Sequence, residues 1–214
     1  MRVLVVLLCI IHYVYGEHCM VTPDPVTGHV SAADLEAALA QTSTPTIIGT
    51  ASYSDYSTSG FYSCTALKSI EIPASVTEIG YQAFYKTGLT SINFNNAVNL
   101  ATIHALAFWK YTALTSVDLS GATALETIGM AAFRGEFVDE AEVTTLTTAT
   151  VPACTKLFCG GLASMHAFPY WTTIVKTFAR QCYASAGVTT DDILSQFSPE
   201  ELRDFYRAKG NCPS

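Results

Sequence analysis

Between residues 67 and 133 the chain repeats one arrangement of apolar and polar positions three times. Leu67, Leu89 and Leu114 are each followed three and five residues later by apolar side chains: Ile70 and Ile72, Ile92 and Phe94, Val117 and Leu119. Such alternation places the apolar pair on one face of a strand and the residue between them on the other. A second apolar pair follows in each unit, Val76 and Ile79, Leu100 and Ile103, Leu125 and Ile128, and the unit closes on Ala83-Phe84, Ala107-Phe108 and Ala132-Phe133. With Phe61 in front, the terminal aromatics recur at spacings of 23, 24 and 25 residues. The step between the two apolar pairs varies, four residues in the first unit and six in the others, while the step from the last isoleucine to the phenylalanine is constant. A turn of variable length and a packed segment of fixed length are therefore expected.

A period of this size headed by L-x-x-I-x-I marks a leucine-rich solenoid, in which each unit forms one coil and buries its apolar side only against its neighbours. The predicted fold is a leucine-rich-repeat solenoid, β-rich, with short strands on its concave and convex sides and helical N- and C-terminal caps. Imperfect copies flank the three units: Ile48-Gly49 with Tyr53 on one side, and Leu146, Ala149, Val151 and Pro152 on the other. Two insertions, YSDYSTSG before Phe61 and RGEFVDEAEVTT after Phe133, are read as entering at one junction and projecting from one rim.

The ends are predicted to cover the apolar layers that such an array exposes. Ser31 heads a short helix as N-cap, with acids in the first turn. Two further helical stretches are expected at about residues 169–185 and 191–209, the second divided by the capping box Ser198-Pro199-Glu200-Glu201. The expected organisation is a signal peptide over 1–16, an N-terminal cap over 17–45, the solenoid over 46–153 and a cysteine-containing helical cap over 154–214. The leader rests on Arg2, the apolar run Val3 to Ile11, and Val14-Tyr15-Gly16 before a cleavage point.

The motifs L-x-S-I-x-I-P, S-V-T-x-I-G and A-F, together with the link F-Y-S-C-T-A-L at Phe61 to Leu67, resemble the BspA-type leucine-rich repeat over about residues 46–153. The later units depart from it: Asn95 and Ser120 replace Pro73, and Thr87, Tyr111 and Glu136 replace Cys64. The resemblance implies a secreted or surface protein, some bacterial members acting as adhesins towards host proteins.

Composition narrows the function classes. Half of the residues are hydrophobic and 14% are charged, which argues for an extensive core. A net charge of −7, or −8 without Arg2, disfavours nucleic acid as a partner. No transmembrane run and no Asn-x-Ser/Thr acceptor is found. Of seven cysteines, Cys9 leaves with the leader. The disulfide candidates are then Cys19, Cys64, Cys154, Cys159, Cys182 and Cys212, with Cys19–Cys64 as one bridge and two more inside the C-terminal segment. The alternative is Cys64 as a buried free thiol.

No H-E-x-x-H, G-x-S-x-G or P-loop pattern occurs, and no metal or cofactor site is expected. His104 replaces the glycine of the other units at an exposed convex position. Cys159 and His166 are the only pair from which a thiol enzyme would be built. The binding residues expected instead are the outward positions of the concave strands, Ser69, Ser91 and Ser116 in one column and Glu71, Asn93 and Asp118 in another. An acidic rim loop, Glu136, Asp139, Glu140 and Glu142, is an accessory candidate for a basic protein patch or a divalent cation. The leading expectation is a secreted, non-enzymatic protein-binding or adhesion module with a protein or extracellular surface component as partner. A matrix component that assembles through its caps is the alternative, and a thiol-dependent enzyme a third.

Overall fold

The computed structural model describes residues 18–50, 60–138, 141–143 and 145–150. In chain order the elements are β1 (His29–Val30), α1 (Ala32–Leu39), β2 (Ile47–Ile48), β3 (Ser69–Glu71), β4 (Glu78–Ile79), β5 (Ser91–Asn93), β6 (Thr102–Ile103), β7 (Ser116–Asp118), β8 (Thr127–Ile128), β9 (Glu136–Val138), β10 (Ala141–Val143) and β11 (Thr148–Thr150). Strands this short carry little stability alone; they form because each coil presents the same backbone groups in register to the next.

Each coil is bonded to its neighbours on three sides. On the first, β1, β3 and β5 are parallel, with Val30 opposite Ile70 and Ile70 opposite Ile92. On the second, β2, β4, β6 and β8 form an unbroken parallel ladder in which Ile48, Ile79, Ile103 and Ile128 are successive partners. On the third, Phe61, Phe84 and Phe108 donate their N–H groups to the carbonyls of Ala83, Ala107 and Ala132. This third column explains the constant step between the last isoleucine and the phenylalanine: both ends are pinned.

The interior is one apolar column. Phe61, Phe84, Phe108 and Phe133 are fully buried and stack in a single file, with centroids 5.2, 4.8 and 4.7 Å apart and planes within 7° of parallel. Leu67, Ile70, Ile72, Val76 and Ile79 are buried beside them, as are their counterparts in the next coils, save one. The exception is Ile92, which is half-buried. It lies where the first ladder is interrupted: β7 pairs with β11, Val117 opposite Ala149, and has no ladder with β5. Each longer turn buries one residue: Ala97 and Ala122 are fully buried, and their N–H groups bond to the carbonyls of Phe94 and Leu119.

Two glycines show how close the coils approach. A Cβ on Gly80 would lie 2.3 Å from the Thr50 oxygen, and one on Gly129 2.3 Å from the Ala105 nitrogen, so any side chain there forces the coils apart. Close packing also leaves two polar atoms without partners, Gln82 Oε1 and Trp109 Nε1. Gln82 holds a left-handed φ of 53°, and the corresponding Leu106 and Ala131 hold 59° and 56°. An apolar side chain is thus already accommodated at this position. Gln82→Leu removes an unsatisfied acceptor worth about 1–3 kcal/mol, so thermal denaturation is expected to show Tm higher by several degrees; an unchanged or lower Tm contradicts this.

At the N-terminal end α1 begins as expected. Ser31 Oγ accepts the Asp34 N–H, and Leu35 and Leu39 are buried in the main core. The helix sits within a coil, between β1 and β2. Cys19 and Cys64 form a disulfide across 45 residues, with Cα atoms 5.3 Å apart. Cys154, Cys159, Cys182, Cys212, His166, the C-terminal helices and the leader lie outside the described residues.

The insertion sites differ from expectation. Phe61 stacks in the aromatic file, as its spacing predicts, so the insertion ahead of it precedes the terminal aromatic and does not follow it. The second insertion enters after Phe133. The two therefore leave the coil at different junctions, and the second contains the antiparallel pair β9 and β10, not a plain loop.

Candidate surface of the main strands

Of the outward positions expected from the sequence, Ser69 stands opposite Ser91 and Glu71 opposite Asn93, while Ser116 and Asp118 lie on β7, which packs beside β5 without a ladder between them. They differ in what they already do. Ser69 and Glu71 are half-buried. Ser69 Oγ lies 2.8 Å from His29 Nδ1 on β1, and Glu71 Oε2 accepts the N–H of Ala32 at 3.4 Å, at the start of α1. This end of the surface is joined to the N-terminal coil.

Ser91, Asn93, Ser116 and Asp118 are exposed. Asn93 and Asp118 also carry a structural task. Asn93 Oδ1 accepts the Asn95 N–H and Asp118 Oδ1 the Ser120 N–H, both at 2.9 Å, so each side chain closes the turn that ends its strand. Position 73 in the first unit is proline, which has no N–H to give, and there the short Asn or Asp is replaced by Glu71. The Ser120 hydrogen bonds hold the Asp118 carboxyl below the usual aspartate range, keeping this end of the column anionic. Thr148 and Thr150 on β11 pair with Ser116 and Asp118 and lengthen both columns by one strand. The L-x-x-A head at Leu146 was the signal for them.

In the acidic insertion, Glu136 stands on β9 opposite Val143, and Glu142 on β10 opposite Phe137, so the two glutamates are not cross-strand partners. Asp139 and Glu140 lie outside the described residues. His104 is half-buried and engaged, with Nε2 2.7 Å from Glu78 Oε2 of the preceding coil. Among the described residues no three His, Cys, Asp or Glu side chains converge as a metal ion would require, and no helix is long and apolar enough to cross a membrane.

A second aromatic file, unforeseen from the sequence, runs outside the first. Tyr62 and Tyr85 stack at 4.7 Å, and Tyr85 meets Trp109 at 5.4 Å with the planes tilted by 51°. Its sequence signal is the aromatic that directly follows Phe61, Phe84 and Phe108, which gives way to Arg134 after Phe133.

A family model described as the BspA type leucine rich repeat region matches residues 36–154 in six copies. It starts ten residues earlier than the motif resemblance and so takes in part of α1. No curated protein and no solved structure matches the chain.

Proposed function

The chain belongs to the BspA-type leucine-rich-repeat family, and on that premise we propose that it is a secreted, non-enzymatic module that binds a protein on the face of its main strands. The observation that carries the proposal is the exposed pair of columns Ser91, Asn93, Ser116 and Asp118 on a backbone fixed by the coils beneath. Exposed polar groups on neighbouring strands of a rigid support offer hydrogen bonds to an extended partner with little ordering cost. Ser69 and Glu71, bonded internally, mark one edge of the contact. Glu136 and Glu142, with Asp139 and Glu140, supply an acidic accessory contact. Export is supported by the apolar leader and by the Cys19–Cys64 cross-link, a bond that persists in oxidising compartments. The N-terminal helix serves as the cap of the array, and residues 154–214 as the other cap.

Ser91→Arg with Ser116→Arg tests this directly, since neither serine closes a turn. Immobilised protein is exposed to extracellular material from its own surroundings, and the captured partners are compared. The expected result is loss of the captured protein with Tm unchanged; capture of the same partner in the same amount would overturn the reading.

A further inference from the structure

Of the four lysine and arginine residues of the described region, Lys86, Lys110 and Arg134 lie in the turn that directly follows the terminal aromatic of a coil, and Lys68 lies between such a turn and β3. Nine acids stand elsewhere in that region, and the three segments 61–68, 84–90 and 108–115 contain none. In a chain of net charge −7 this is a segregation of charge, not a scatter.

The backbone lines these positions up. Ser63, Lys86 and Lys110 donate their N–H groups to the carbonyls of Tyr85, Trp109 and Arg134, each in the next coil, at 2.7, 3.0 and 3.0 Å. The three donors share a left-handed φ of 52° to 60°, so successive side chains leave the coil from the same backbone geometry. Lys86 Nζ lies 5.7 Å from the Tyr85 ring centre and Lys110 Nζ 5.0 Å from that of Trp109. Lys68 crosses to the same edge: its Nζ would be 2.5 Å from a Cβ on Gly88, two residues after Lys86. It also lines a depression with Asp24.

We propose that this edge is a docking strip for an anionic polysaccharide bearing sulfate or carboxylate groups. A polymer with charges at regular intervals matches cations presented one per coil beside rings 4.7 and 5.4 Å apart. An ammonium held over an aromatic ring keeps N–H donors for an anion. Single-stranded nucleic acid would need open ring faces for its bases, and these rings cover one another. The strip lies on a different side of the coil from the main-strand surface and does not depend on the function proposed there.

The test is elution of the full chain from immobilised heparin in a salt gradient, beside Lys86→Ala with Lys110→Ala and Lys86→Arg with Lys110→Arg. Retention at about 0.15 M salt, an affinity loss on the order of tenfold in the alanine pair, retention by the arginine pair and an unchanged Tm are expected. Flow-through of the parent chain, or co-elution of the alanine pair with it, overturns the proposal. So does release by single-stranded DNA at lower concentration than by free heparin, which assigns the strip to nucleic acid. A parent chain whose mass in solution doubles with concentration, and falls to monomer in the alanine pair, assigns it to the acidic segment of a second copy.

Discussion

Phe108→Ala is expected to cost about 3–5 kcal/mol and to lower the thermal midpoint by about 10 °C or more. Phe108 is fully buried, with Phe84 4.8 Å away on one face and Phe133 4.7 Å away on the other. Truncation therefore removes the packing partner of two coils at once, and the pinned backbone at Phe108, bonded to Ala132, prevents the neighbours from closing over the space. Ile103→Asp is the more severe form, since it places a carboxylate with no partner in the same interior, and no folded product is expected. Asn93→Asp is the control: the position is exposed, and Asp118 shows that aspartate closes the same turn, so a change within about 0.5 kcal/mol is expected. Chemical denaturation of the three variants checks all of this; equal midpoints for Phe108→Ala and Asn93→Asp would contradict it.

Removing the Cys19–Cys64 bridge is the second large effect. The bond closes 45 residues, and the loop-entropy relation gives about 4 kcal/mol for a loop of that length. The loss should be felt first at the N-terminal end, because the bridge holds the segment before β1 against the coil that contains Phe61. In that segment the His18 and Met20 N–H groups bond to the carbonyls of Tyr62 and Gly60. Cys19→Ser with Cys64→Ser is expected to reduce stability by that amount and to raise hydrogen exchange in residues 18–30 before it rises around Phe108. Uniform exchange along the array, or no change in midpoint, would show that the bridge is incidental.

The coil interior was legible because its physics is periodic. Leu67, Ile70, Ile79 and Phe84 recur with fixed spacing, and that spacing is the distance around one coil. What escaped was set by neighbours and not by the local run. His29 and Val30 carry no alternation of their own, and become a strand only because Ser69 and Ile70 lie alongside. Ala97 and Ala122 read as turn residues, yet their small side chains are what allows the longer turn to fold inward. The roles of Asn93 and Asp118 needed the N–H groups two residues on, which the exchange of Pro73 for Asn95 and Ser120 had signalled. Ser69 and Glu71 are half-buried because His29 on β1 and Ala32 at the start of α1 lie against them, contacts between residues 40 and 39 apart. The shared junction expected of the two insertions fails on the ring file: with Phe61 stacked on Phe84, the first insertion precedes the terminal aromatic and the second follows it.

The stacked interior on which both surfaces rest is tested most directly by proton cross-relaxation between ring-labelled phenylalanines. Neighbouring rings in the file, Phe84 with Phe108 and Phe108 with Phe133, at centroid separations of 4.8 and 4.7 Å, should give strong cross-peaks, and Phe84 with Phe133 none. A direct Phe84–Phe133 cross-peak, or the absence of both neighbouring ones in the folded protein, would contradict the stack.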